Sequence, residues 1–237
     1  MRTTFITLFA GLAATVSAHA RELRPARFAN DRTTFHPAQA PLVGRVVLVH
    51  GIMETGSNFR MLRQRLQKRG FECLVPRLRP CDGRGGLEKL AASLKSDIEE
   101  HFGTDKEFSV VGFSMGGIVS RHYLQELGGA QRCRSLITIS SPHNGSHTAW
   151  LYPTKGSVQM RPGSGFLGDL ARSEDRLGKM PVVSYRTPLD LMVVPANSSH
   201  WERAENLSFP VALHPLMLNS PRVLDDIERR LLEHVAD

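Results

Sequence analysis

Phe108-Ser109-Val110-Val111-Gly112-Phe113-Ser114-Met115-Gly116-Gly117-Ile118-Val119-Ser120 lies near the middle of a chain of 237 residues. Its first half is a short apolar run, which indicates a buried strand that ends at Gly112. Beyond Ser114 the apolar residues recur at helical spacing, which predicts a helix. The sequence therefore predicts a strand, a sharp turn and a helix in direct succession.

The predicted turn carries the pattern G-x-S-x-G at residues 112–116. A serine at the apex of such a turn takes a strained backbone conformation, and Gly112 and Gly116 leave room for the neighbouring strand and helix. The hydroxyl of Ser114 is then exposed at a helix N-terminus, where the N–H groups favour an anion. We interpret Ser114 as a candidate nucleophile.

Strands and helices are predicted to alternate on both sides of this turn. Apolar runs predict six strands, at residues 44–51, 71–75, 107–112, 136–139, 182–187 and 209–212. Helical spacing predicts helices at residues 59–66 and 87–102, after Ser114, and at residues 223–235. The fold class is therefore α/β, with a mostly parallel sheet of about six strands flanked by helices, in which ligands bind at the carboxyl ends of the strands.

The chain divides into a leader, an arm and one domain. Residues 1–20 have a basic start, a short apolar run and Ala18-His19-Ala20, which predicts a signal peptide cleaved after Ala20. Residues 21–42 indicate an extended arm, and residues 43–237 a single domain. Within it, the glycine-rich residues 143–180 predict a small cap or an acyl-binding wall, with an ordinary connection containing one short helix as the alternative.

The composition excludes few function classes. Hydrophobic residues make up 41% and charged residues 22%, and the formal net charge is +7. This basic charge fits an anionic surface such as lipid headgroups, and it also fits simple solubility. Nucleic-acid binding is disfavoured because the basic residues are scattered and lack interleaved aromatic residues.

The cysteines allow at most one disulfide within the chain. Of the three pairings among Cys73, Cys81 and Cys133, Cys73 with Cys81 is plausible because the two are close in sequence. No spacing of cysteine and histidine indicates a metal site.

Ser114 needs a histidine as its base and a carboxylate that orients the histidine. His214 lies between the last predicted strand and the last helix, and Asp190 comes directly after the fifth strand. The order Ser114, Asp190, His214 is the one expected on this scaffold. Three other loop histidines are alternative bases, namely His143, His147 and His200.

An oxyanion that forms at Ser114 needs two backbone donors. The N–H of Met115 is one, at the start of the predicted helix. The second is expected from the loop after the first strand, from Ile52 or alternatively Met53. We expect four residues to contact substrate or shape its site: His50, Gly51, His143 and Trp150.

Four segments of the chain resemble the α/β-hydrolase superfamily, and within it small bacterial triacylglycerol lipases and carboxylesterases. They are VVLVHGIMETGSNF, SVVGFSMGGIVSRHYL, LITISSPHNGS and SYRTPLDLMVVPANSS, within residues 43–235. The resemblance implies that Ser114, Asp190 and His214 form a catalytic triad. It also implies that the run at residues 141–146, which contains His143, lines the entrance to the site.

The resemblance implies an exported serine hydrolase that cleaves carboxylic esters through an acyl-enzyme. It implies an ester or lipid substrate and no cofactor. The predicted signal peptide implies a secreted or periplasmic location, the scattered basic residues disfavour nucleic acid, and the basic net charge is compatible with peripheral contact with a lipid surface. Larger lipases of this superfamily hold calcium, which is not expected here because no carboxylate cluster lies near Asp190. The alternatives are an acyltransferase that uses the same triad and a catalytically inactive binding protein.

Overall fold

Six strands form one sheet in the computed structural model, which describes residues 41–236. The predicted signal peptide and residues 21–40 of the predicted arm lie outside the described residues. The strands are β1 (Gly44–Val49), β2 (Phe71–Leu74), β3 (Phe108–Phe113), β4 (Cys133–Ile139), β5 (Val182–Arg186) and β6 (Glu205–Ser208). They are all parallel, in the order β2-β1-β3-β4-β5-β6. The α/β class and the six-stranded parallel sheet are therefore confirmed.

Helices cover both faces of this sheet. The α-helices are α1 (Arg60–Lys68), α2 (Leu87–Phe102), α3 (Met115–Glu126), α4 (Lys155–Gln159), α5 (Gly165–Arg172) and α6 (Pro221–Ala236). No helix within residues 41–236 is long and apolar enough to cross a membrane.

The strands bury apolar side chains alternately on the two faces, as the period of two in a strand requires. In β1, Val47 and Val49 pack with residues of α2 and α3, whereas Val46 and Leu48 pack with residues of α1 and α6. The sheet is therefore covered on both faces, which explains the continuous apolar run that predicted β1.

The last strand differs from its prediction. It was expected at residues 209–212 and lies at Glu205–Ser208, where it pairs with β5 alone. An edge strand is held by backbone hydrogen bonds to one neighbour, so its side chains need not be apolar, and these four are exposed or partly exposed. The apolar run that suggested the strand includes Phe209 and Val211, which pack against the core as irregular backbone.

Residues 143–180 form a series of short helices rather than one. Besides α4 and α5 there are 3₁₀ helices at His147–Trp150 and Glu174–Leu177. Apolar side chains from all of this stretch, including Met160 and Leu170, join the core on the face of α2 and α3. A role as a cap or an acyl-binding wall stays a prediction.

The disulfide between Cys73 and Cys81, which the sequence made plausible, is not formed in the structure. All three cysteines are free thiols in the structure. Cys73 lies on β2 with its thiol buried in the core, and burial raises the pKa of this thiol to about 12. Cys81 lies in a separate loop, where its own backbone carbonyl accepts a hydrogen bond from the N–H of Met53.

Candidate active site

Ser114 lies in the turn between β3 and α3. Its backbone has φ 53° and ψ −123°, a conformation that is rare for a residue with a side chain. Its N–H donates to the carbonyl of Ile139 at 2.8 Å, and its own carbonyl accepts from the N–H of Gly117 at 3.1 Å. The predicted strand, strained turn and helix are therefore present, with a partly exposed hydroxyl at the apex.

Two glycines allow this turn to pack against the sheet. A Cβ atom at Gly116 would lie 2.1 Å from the carbonyl oxygen of Val49 in β1. A Cβ atom at Gly112 would lie 2.6 Å from the Cα of Gly117. Neither contact is sterically possible, so the helix reaches the sheet only because both positions lack a side chain.

Asp190 and His214 form a buried hydrogen-bonded pair. Nδ1 of His214 lies 2.7 Å from Oδ2 of Asp190, and the two residues are 6% and 5% exposed. The other oxygen, Oδ1, accepts hydrogen bonds from the backbone N–H groups of Met192 and Val193, both at 2.8 Å. Asp190 is thus held from both sides.

The charge state of Asp190 follows from these contacts. Burial by itself raises the pKa of the carboxyl group. The hydrogen bond and the charge of His214 and the two backbone hydrogen bonds together lower the pKa by more than burial raises it. The net pKa is below its ordinary value, so Asp190 is a carboxylate at neutral pH. The anion can then fix the tautomer of His214 and stabilise its imidazolium form.

His214 lies next to the turn that carries Ser114. Its ring packs on the ring of Phe113, the residue before Ser114, with centroids 4.7 Å apart. In the part of the chain that the structure describes, the Ser114 hydroxyl makes no direct hydrogen bond to His214. Such bonds are often long in enzymes without substrate and tighten in the complex.

His50 has a structural position at the end of β1. Its Nδ1 lies 2.9 Å from the carbonyl of Gly51, and its Nε2 lies 3.2 Å from the backbone N–H of Leu78. The N–H can only donate, so Nε2 is the acceptor and Nδ1 carries the proton. Burial lowers the pKa of His50 more than its bond to Gly51 raises it, so the ring is neutral and ties two loops together.

The loop after β1, residues 50–56, is called the β1 loop below. Its Met53 has a left-handed φ of 58°, and its N–H donates to the carbonyl of Cys81 at 2.8 Å. The N–H of Met53 is therefore engaged, whereas the N–H of Ile52 has no backbone acceptor among the described residues. Met115 is the first residue of α3, so its N–H has no acceptor within the helix. Ile52 and Met115 remain the candidate donors.

Glu54 is a site residue that the sequence reasoning missed. Its Oε2 accepts from the N–H of Gly51 at 3.0 Å, and its Oε1 accepts from Nδ2 of Asn58 at 2.6 Å. Burial raises the pKa of Glu54, and the bond from Gly51, the charge of His214 and the bond from Asn58 oppose this in that order. The only signal in the sequence was a carboxylate in the middle of an otherwise uncharged loop.

The structure places His143 in the interior rather than at an entrance. It is 4% exposed, its Nδ1 accepts from the buried guanidinium of Arg121 at 3.3 Å, and its Nε2 lies 3.0 Å from Oγ1 of Thr138. Its ring packs on Trp201. Burial, and then the charge of Arg121, hold the pKa of His143 well below its usual value. With both nitrogens occupied, direct contact with a substrate is disfavoured.

The remaining predicted residues lie at the surface. Trp150 is 61% exposed, and the guanidinium of Arg161 lies 4.1 Å from its ring centroid. His147 and His200 are exposed, and His200 contacts Glu202. Of the four candidate bases, His214 is therefore the one hydrogen-bonded to Asp190.

Large apolar side chains are exposed in the loops at the carboxyl ends of the strands. The Thr148 hydroxyl donates to the carbonyl of Met192, so the segment with Trp150 lies against the loop with Asp190. The exposed apolar residues of these loops are Met53, Trp150, Leu151, Leu189, Leu191, Met192, Leu213 and Leu216. Within residues 41–236, no group of three or more His, Cys, Asp or Glu side chains could hold a metal ion.

The sequence profile of the α/β-hydrolase fold family matches residues 44–209, which include the turn at Ser114, the β1 loop and Asp190. The chain belongs to this family. The match ends before His214, which the structure nevertheless places against Asp190. No curated protein sequence matches this α/β hydrolase.

Solved structures of other α/β hydrolases are similar in fold. The mature form of the Bacillus licheniformis lipase BlEst2 has a TM-score of 0.64 at 17% identity, covering 84% of this chain and 96% of that chain. A Paleococcus ferrophilus monoacylglycerol lipase has a TM-score of 0.60 at 17% identity, with 83% and 96% covered. Est1E from Butyrivibrio proteoclasticus has a TM-score of 0.62 at 14% identity, with 84% and 91% covered.

Proposed function

We propose that this α/β hydrolase is a serine hydrolase that cleaves carboxylic esters. The observation that carries the proposal is the buried 2.7 Å pair of His214 and Asp190, packed against the strained turn of Ser114. A buried aspartate that orients a histidine beside a serine at a helix N-terminus has the residue types and the order that acyl transfer requires.

In the first half-reaction, His214 removes the proton of the Ser114 hydroxyl as the oxygen attacks the ester carbonyl carbon. The tetrahedral intermediate then collapses, the carbon–oxygen bond to the alcohol breaks, and His214 returns the proton to the leaving alcohol. In the second half-reaction, His214 removes a proton from water, which attacks the acyl-enzyme. The acid leaves, and Ser114 regains its proton.

The negative oxygen of each tetrahedral intermediate would be stabilised by the N–H groups of Ile52 and Met115. Both N–H groups are free of backbone acceptors among the described residues. Preorganised donors of this kind are each worth about 10²–10³ in kcat.

We propose an ester with an apolar acyl group as the substrate. The exposed apolar side chains around the strand ends would contact such a group and remove it from water. The resemblance of the sequence to lipases and carboxylesterases, and the fold shared with lipases, support the same class. The length of the acyl chain is left to the experiment.

The test compares hydrolysis of 4-nitrophenyl butyrate, octanoate and palmitate by the wild type, Ser114→Ala and Ser208→Ala. Ser208 is exposed on the edge strand β6 and serves as the matched control. We expect activity on at least one ester, loss of at least about 10⁴-fold in Ser114→Ala, and unchanged activity in Ser208→Ala. An inert wild type, or an active Ser114→Ala variant, would contradict the proposal.

A further inference from the structure

The β1 loop contains a carboxylate for which the proposed triad has no use. Glu54 is partly buried, and burial of a carboxylate costs free energy unless it is hydrogen-bonded or paired. Both of its oxygens are occupied, one by the N–H of Gly51 and one by the side chain of Asn58. A carboxylate that is partly buried at a cost in free energy and held by two hydrogen bonds is a candidate for a functional role.

Glu54 lies near Ser114. A Cβ atom built on Gly51 would lie 3.1 Å from Oε2 of Glu54 and 3.2 Å from the Cβ of Ser114. The carboxylate and the serine therefore both lie beside the same side of Gly51.

The hydrogen bond from the N–H of Gly51 to Oε2 of Glu54 also fixes the backbone path of the β1 loop. It ties residue 51 to residue 54 and so closes a tight turn that contains Ile52 and Met53. The left-handed Met53 and its bond to the Cys81 carbonyl fix the far side of this turn. The N–H between these two anchors is that of Ile52, one of the two candidate donors.

We propose that Glu54 is a positioning residue for the reaction: it fixes the turn that directs the Ile52 N–H toward Ser114. This inference rests on the proposed esterase function. Glu54 itself touches neither the substrate nor the transferred proton.

Two variants test this role. Glu54→Gln keeps an oxygen that can accept from Gly51 and removes the charge, whereas Glu54→Ala removes both. Glu99→Gln is the control, because Glu99 forms a partly exposed pair with Lys95 near the end of α2. For each variant, kcat and KM on the best nitrophenyl ester and Tm are measured.

In Glu54→Ala we expect kcat to fall at least about 30-fold with KM within about threefold, because a displaced oxyanion donor acts on the transition state. In Glu54→Gln, which keeps an acceptor for the N–H of Gly51, we expect kcat and KM within about threefold of the wild type.

Tm separates positioning from simple structural support. Because burial raises the pKa of Glu54, its charge opposes folding at neutral pH, so Glu54→Gln should have a Tm equal to or above that of the wild type. Wild-type kcat in Glu54→Ala, or a kcat in Glu54→Gln that falls as far as in Glu54→Ala, overturns the inference. If the wild type is inactive or Ser114→Ala is active, the proposed function fails instead, and the two failures are thus distinguished.

Discussion

The two carboxylate oxygens of Asp190 have separate partners. Oδ1 accepts from two backbone N–H groups of its own loop, and Oδ2 binds Nδ1 of His214. This division means that the loop can keep its shape when the charge is removed, provided that one oxygen remains. The proposed orienting function of Asp190 and its structural function can therefore be separated by one substitution.

Asp190→Asn should lower kcat by about 10³–10⁴ while leaving the fold intact. The amide oxygen can replace Oδ1, but the amide NH₂ then faces Nδ1 of His214 and favours the tautomer that cannot accept the proton of Ser114. The measurement is kcat/KM on the best ester together with Tm. Activity within tenfold of the wild type at unchanged Tm would show that Asp190 does not orient the base.

At the residue scale, the sequence could indicate Ser114, Asp190 and His214 because each lies directly beyond a predicted strand or beside a predicted helix. It could not indicate Glu54, whose contacts arise when the β1 loop turns back on Gly51. The resemblance implied that residues 141–146, which contain His143, line the entrance. In the structure the His143 ring is buried, and its nitrogens contact the guanidinium of Arg121 and the hydroxyl of Thr138.

At the scale of elements, the turn of Ser114 depends on the approach of α3 to β1. The close contacts at Gly112 and Gly116 are with backbone atoms, which cannot move aside as a flexible side chain can. The pattern G-x-S-x-G in the sequence is therefore the consequence of a strand and a helix that share one narrow space.

Gly116→Ala should destabilise the protein by about 3 kcal/mol, because the added methyl group overlaps the Val49 carbonyl. Gly165→Ala is the matched control: a Cβ atom there meets nothing within 4 Å, at the start of α5. Urea denaturation of both variants gives the difference in the free energy of unfolding. Equal stability of the two variants would mean that α3 does not pack as described.

The positions of the other strands and helices could be predicted where their side chains form an apolar pattern. The bounds predicted for α2 match the structure because its apolar residues recur at helical spacing, whereas β1 ends at Val49, two residues before the end of the predicted run. The sequence-based prediction misplaced the edge strand β6. This strand is held by backbone pairing with β5, and its side chains carry no apolar pattern that could indicate a strand.

At the scale of the whole molecule, a network of charges joins the last helix to the sheet. The hydroxyl of Tyr185 in β5 donates to Asp226 of α6 at 2.6 Å, and Arg230 bonds to both Asp226 and Glu205 of β6. Burial by itself raises the pKa of Asp226, but the hydrogen bonds from Tyr185, Arg229 and Arg230 together lower it by more. The net pKa of Asp226 is therefore below its ordinary value of 3.8. Asp226 is the common partner in this network.

The pH dependence of stability follows from this direction. A carboxyl group with a lowered pKa in the folded state stabilises the fold above its unfolded pKa, and the contribution is lost as the pH falls through the folded value. The urea midpoint of the wild type should therefore fall more steeply below about pH 4 than that of Asp226→Asn. Asp169→Asn, at an exposed pair with Arg172, should keep the wild-type slope. Identical slopes in the wild type and Asp226→Asn would contradict this account.

Covalent labelling tests directly whether Ser114 is the nucleophile of an ester hydrolase. The folded wild type and Ser114→Ala are treated with a fluorophosphonate, and the intact mass and the modified peptide are measured by mass spectrometry. We expect one phosphonyl group on Ser114 of the wild type and none on the variant, since the reagent reacts with serines that a neighbouring base activates. An unlabelled wild type, or a label that persists in Ser114→Ala, would contradict the assignment.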